Sequence, residues 1–190
     1  MHGLNRKFLR NPQKFLDQYI ILMPSIDKGS WRFSSGLQTF DLRRDNRNIF
    51  GRQCCLLTTM ERRDKDAGMF TNSIYGNWIP INSSGSFTAC NIVANRAPYF
   101  IFTEQLGGCS IGILNTNSPN TVFAHDPNPN KNKLSDYQLT LSAKQYDPKE
   151  NDINTSGVCW WDGVQWNIGF CVTYDSTGFY QQIGQDNYTQ

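Results

Sequence analysis

Apolar positions fall into two regimes along this chain. Between Pro12 and Pro24, Phe15, Leu16, Tyr19, Ile20 and Met23 recur with the spacing of one helical face. Asn11 supplies a capping side chain, and Pro12 sits at the first helical position, where its missing N–H is no loss. The pattern predicts one helix from Pro12 to about Pro24. From about Trp31 onward the apolar stretches shorten and are separated by Gly, Asn, Asp and Pro, the mark of strands and turns. Strands are predicted near Arg52 to Glu61, Ile74 to Ile81, Ser86 to Ala94, Tyr99 to Glu104, Cys109 to Leu114, Thr121 to His125 and Tyr137 to Ala143, with two more around Asp162. In that last pair, Asp162-Gly163 offers the two positive-φ positions of a type I′ turn, which would set Cys159 opposite Trp166 and not opposite Cys171.

Composition narrows the class. At 190 residues the chain suits one domain, spanning 1–190, whose core needs no staples. Hydrophobic residues at 38% and charged residues at 18% exclude a disordered tail, and 13% aromatics favour strands. A net charge of +2 is too mild to announce nucleic acid, so Arg43, Arg44, Arg47 and Arg52 read as a solvated basic loop. Arg6, Lys7 and Arg10 precede an amphipathic segment, not an unbroken apolar run with a cleavage site, and Sec-type export is not expected. No apolar run reaches the roughly 20 residues that a membrane-spanning helix requires.

The six cysteines (Cys54, Cys55, Cys90, Cys109, Cys159, Cys171) form no dense framework and no Cys-x-x-Cys, and the only histidines are His2 and His125. Free thiols are therefore expected, with no metal and no cofactor. Cys54 and Cys55 lie in an apolar strand, where cysteine behaves as a small hydrophobe. Trp160, Trp161 and Trp166 fit sheet packing; a sugar-stacking platform is the alternative.

One segment carries chemistry. Cys109 follows Gly107 and Gly108, whose backbone is free to bring N–H groups close to a bound carbonyl, as an oxyanion site requires. The turn-rich stretch Asn115 to Asn120 joins two apolar strands and returns the chain to His125. If Leu114 pairs with Thr121, Ser110 faces His125 and Cys109 lies beside the imidazole; pairing Cys109 directly with His125 needs a five-residue loop, or else a bulge at Gly108 must re-aim the thiol. The residues alone leave two readings open, a packed core thiol or a nucleophile bordering a cleft.

At these positions the sequence resembles a deamidase superfamily that includes Burkholderia lethal factor, the catalytic domain of the cytotoxic necrotizing factors and the bacterial chemoreceptor glutamine deamidases. Leu106-Gly107-Gly108-Cys109 is similar to the toxins' Leu-Ser-Gly-Cys motif, with glycine in place of serine at Gly107. Thr103 precedes the cysteine by six residues and His125 follows by sixteen, in the order found in the lethal factor and chemoreceptor branches. The resemblance implies a fold built around a β-sandwich of mixed sheets with peripheral helices, here α+β by strand count. It implies a Cys109–His125–Thr103 triad that converts glutamine of a host protein to glutamate, with oxyanion support near Gly108. The substrate it favours is a translation-initiation RNA helicase, so that the toxin would inhibit translation; a Rho-family GTPase is the other candidate. It further implies synthesis in a bacterial cytoplasm and delivery to the host cytosol. Transglutamination, cysteine proteolysis and a non-enzymatic carbohydrate-binding sandwich using Trp160, Trp161, Trp166 and the loop from Asn128 to Asn132 are the competing readings.

Overall fold

A computed structural model describes residues 2–23, 35–49, 51–59, 73–80, 86–104, 106–127, 133–146 and 153–174. The expected pattern change at Trp31, the strand ends at Glu61 and Ile81, and the loop from Asn128 to Asn132 lie outside the described residues.

Two helices open the chain, α1 (His2–Arg10) and α2 (Pro12–Gln18), joined at Asn11, whose Oδ1 accepts the Lys14 N–H at 2.9 Å. The cap is the one expected; the helix end is not. Tyr19 leaves the helical region at φ −129° and ψ 150°, and β1 (Tyr19–Leu22) runs parallel to β3 (Arg52–Thr59), with Tyr19 opposite Gln53 and Leu22 opposite Leu56. Ile20, Ile21 and Leu22 are buried at consecutive positions. A strand covered on both faces accommodates such a run and a one-faced helix does not, so tertiary pairing overrides the helical spacing.

The other strands are β2 (Gly36–Ile49), β4 (Ile74–Ile79), β5 (Thr88–Val93), β6 (Tyr99–Thr103), β7 (Leu106–Gly107), β8 (Ser110–Ile113), β9 (Asn120–Asp126), β10 (Leu139–Leu141), β11 (Ile153–Trp161) and β12 (Trp166–Tyr174), with a short helix α3 (Ala143–Tyr146) after β10. The first sheet has the order β1-β3-β2-β4-β6-β11-β12, and β7 pairs with β11 as a continuation of β6. The second has the order β10-β8-β9-β5. The pairs β1–β3 and β4–β6 are parallel, and the other described pairs are antiparallel.

The basic stretch is not a loop. Arg43, Arg44 and Arg47 lie on β2 and Arg52 on β3, and the two strands pair with a bulge between Arg44 and Asn48. Arg47 grips Asp45 through Nε at 2.6 Å and Nη2 at 2.9 Å, and Arg43 lies 3.4 Å from Asp41, so neighbouring acids offset part of this charge.

Helices α1 and α2 cover one face of the first sheet, where the Phe8 ring stacks on Phe100 with centroids 4.7 Å apart. The opposite face packs on the second sheet: Ile101, Leu106, Cys159 and Phe170 meet Ile92, Ile111, Phe123 and Leu141 in one apolar cluster. The result is an α+β architecture of helix layer, mixed sheet and antiparallel sheet, in agreement with the expected sandwich. Among the described residues no helix is long and apolar enough to cross a membrane.

The β11–β12 hairpin departs from the expected turn. Trp161 pairs with Trp166, so the connection is the stretch 162–165, and Cys159 faces Ile168. Cys171 faces Ser156, so the two cysteines are indeed not opposed. Gly163 takes a positive φ of 109°, but Asp162 organises the loop by accepting the N–H groups of Val164 and Gln165 at 2.8 and 2.9 Å. Trp160, Trp161 and Trp166 are 5%, 7% and 2% exposed, which leaves them in the core and forms no platform for sugar.

Candidate active site

The chain crosses from the first sheet to the second at Leu106-Gly107-Gly108-Cys109. On β11, Val158 faces Phe102 and Thr155 faces Leu106, so three steps along β11 answer four along its partner. The extra residue reverses the alternation, and Thr103 and Leu106 both point into the layer between the sheets. Gly107 and Gly108 are exposed, and Gly108 takes φ 80°, a conformation that L side chains avoid, although a Cβ there would meet nothing within 4 Å. Conformation, not space, selects glycine before the cysteine. The turn is held from behind by α3: the buried Tyr146 hydroxyl donates to the Cys109 carbonyl at 2.7 Å, and the Ala143 N–H donates to Ser110 Oγ at 3.3 Å.

The β8–β9 register sets His125. Ile111 pairs with His125 and Ser110 with Asp126, one residue away from the expected Ser110–His125 pairing. The loop lengthens because the Leu114 N–H bonds to the Val122 carbonyl while Asn115 N–H is taken by Thr121 Oγ1 at 3.2 Å. The slip matters chemically. Directly opposed residues share a face, so His125 lies on the face of Ile111, and that face belongs to the same inter-sheet cluster as Cys109. Cys109, two residues before Ile111, is then the diagonal neighbour of His125, a relation that spans about 7–8 Å between backbones and less between side chains.

Cys109 and His125 make no hydrogen bond to each other. The thiol rests 3.9 Å from the Gly107 carbonyl, and all six cysteines are free. Cys109 is 8% exposed, a buried thiol that follows two exposed glycines. His125 is 0% exposed, and both its ring nitrogens are buried without a partner. Burial pushes the Cys109 thiol up, a backbone hydrogen bond from Gly107 acts against it, and Asp126 and Glu104 add upward pressure. Burial lowers His125 to about 4, against the pull of Asp126. At neutral pH both groups are uncharged, a thiol awaiting a base and an imidazole free to accept a proton.

Thr103 faces the same layer, but its hydroxyl donates to the Ile79 carbonyl at 2.7 Å, which leaves it only lone pairs to offer an imidazole N–H. Two further hydroxyls stand out. Thr88 is the direct cross-strand partner of His125, and Thr155 is the partner of Leu106; both Oγ1 atoms are buried and unpartnered. Neither carries a mark in the sequence, since a threonine in a strand is ordinary and only the register makes these two neighbours of the site.

A separate cavity of about 540 Å³ lies on the helical layer, lined by Lys7, Arg10, Asn11, Lys14, Phe15 and Gln18, on the other side of the first sheet from Cys109. Among the described residues no group of three or more His, Cys, Asp or Glu side chains is arranged to hold a metal ion. Comparison with models of known protein families and with curated proteins finds no match.

Proposed function

We propose that the protein is a thiol-dependent protein glutamine deamidase of the toxin type, with Cys109 as nucleophile and His125 as base. One observation carries this reading: a cysteine directly after a left-handed glycine shares its buried face, one cross-strand diagonal away, with an imidazole whose two nitrogens are both unpartnered. Buried polar groups are nearly always paired in a folded protein, and those left open concentrate where a substrate completes the bonding.

Neutral His125 takes the Cys109 proton as the sulfur attacks the side-chain carbonyl of a glutamine. Backbone N–H groups near Gly108 hold the oxyanion, the imidazolium returns the proton to the leaving nitrogen, and ammonia departs from a thioester. Water, deprotonated by the same imidazole, then releases glutamate and regenerates the thiol. Thr103 holds the third position that the resemblance assigns to the triad, with its hydroxyl proton given to the Ile79 carbonyl. A glutamine side chain reaches the sulfur only after the turn at 106–109 shifts, because Cys109 is covered in the resting protein. The product is isosteric with the substrate but adds one negative charge, enough to break an interface on the target. The target class is a host translation-initiation RNA helicase, with Rho-family GTPases as the second candidate and a host cytosolic site of action.

The test is Cys109→Ser, assayed by intact-mass and peptide mapping of host proteins. The folded variant should convert no glutamine to glutamate while its Tm stays within a few degrees of the parent; His125→Ala should be equally inert, and the double variant no worse, since the two act as one unit. A well-folded Cys109→Ser protein that still deamidates would end the assignment. Added primary amine appearing on the target in place of glutamate would instead show transglutamination.

A further inference from the structure

We propose that Thr88 is the positioning residue for the His125 imidazole, an inference that rests on the reading of His125 as the base. Thr88 opens β5 and pairs directly with His125 across the β5–β9 ladder, so the two side chains share one face with Cβ atoms about 4.5–5.5 Å apart. They are chemically complementary: the threonine hydroxyl offers a proton and two lone pairs, and the neutral imidazole offers one N–H and one bare nitrogen. Both Thr88 Oγ1 and the two His125 nitrogens are buried, and none has a partner. Two orphaned polar groups set opposite one another in a ladder can satisfy each other by a rotation about a side-chain bond, with no change of backbone. Thr103, in contrast, reaches the layer from the facing sheet with its hydroxyl proton already given to the Ile79 carbonyl.

In this arrangement the ring N–H is donated to Thr88 Oγ1, which selects the tautomer with the other nitrogen bare and turns that nitrogen towards the diagonal position of Cys109. The base is held by its own sheet. The facing sheet contributes through Thr103 or Thr155 only as walls of the layer.

With only two histidines in the chain, the imidazole signals are simple to assign. Long-range ¹H–¹⁵N spectra of the full chain should show a His125 ring N–H protected from exchange. That signal should vanish in Thr88→Val, which keeps the shape and removes the oxygen, and persist in Thr88→Ser and Thr103→Val. Alkylation of Cys109 by iodoacetamide, followed by peptide mass mapping at neutral pH, should slow by about tenfold in Thr88→Val and recover in Thr88→Ser. If Thr88→Val does not fold, Thr88→Ala replaces it in both measurements. A protected N–H that survives loss of the Thr88 hydroxyl, or no protected N–H in the parent protein, overturns the inference. Alkylation that is unchanged in His125→Ala overturns the reading of His125 as base instead, so the two failures are separable.

Discussion

His125 is held in a protonation state that the unfolded chain would not choose. Its ordinary value of 6.5 falls to about 4 in the fold, because burial penalises the imidazolium more than Asp126 rewards it. Between those limits the unfolded chain binds a proton at this site and the folded chain does not, so acid favours unfolding; above about 6.5 neither state is protonated there and the effect disappears. Stability should therefore fall as pH drops from 6.5 towards 4, with a share from His125 of up to about 1.4 kcal/mol per pH unit. Urea titrations of the parent and His125→Gln across that window check it: the variant should lose this part of the slope, and identical slopes would mean that His125 is not buried neutral. Cys109 and His125 are legible in the sequence because each is a rare type in a marked setting, a thiol after two glycines and the one histidine beyond the N-terminal residues. Thr88, Thr155 and Tyr146 are illegible there, since their relation to the site exists only through strand register and the docking of α3.

Short apolar stretches bounded by turn residues, such as those holding Ile74 and Tyr99, are readable from pattern alone, and the structure keeps their expected places with slightly tighter ends. The failures have physical causes. β2 carries Arg43, Arg44 and Arg47 and has the composition of a loop, yet it is buried at Phe40 and Leu42 and lies between β3 and β4 in the sheet. The helix from Pro12 stops early because its last turn is claimed by β3, a competition that local spacing does not register. At the β11–β12 hairpin the Asp162-Gly163 pair is read correctly as a turn but with the wrong length, because the Asp162 side chain, not a pair of positive-φ residues, closes the connection. Asp162→Ala should consequently destabilise the protein by about 1 kcal/mol, since two N–H groups lose a charged acceptor and only solvent replaces it. Chemical denaturation of that variant tests the point; an unchanged midpoint would reduce the Asp162 bonds to decoration.

At the scale of the whole molecule, the two sheets are threaded through one another. The chain leaves the first sheet after β4 to lay down β5 in the second, returns for β6 and β7, crosses again at Gly108 for β8, β9 and β10, and comes back for β11 and β12. β11 is bonded on one side to β6 and β7 and on the other to β12, so one end of the first sheet is completed by the last two described strands. Until β11 is in place, β6 is an open edge and the cluster around Ile101, Leu106 and Ile111 lacks Cys159 and Phe170. Long-range pairing of this kind makes for slow folding, with an unpaired strand edge exposed until β11 is in place. A fragment ending at Tyr146 should accordingly be insoluble or unfolded by circular dichroism and urea titration, whereas a fragment that unfolds cooperatively would reveal a smaller folding unit inside the sandwich. The crossing that carries Cys109 into the second sheet thus leaves the proposed site dependent on strands that follow it, and a chain stopped before β11 would carry every proposed catalytic residue without the strands that pack over them.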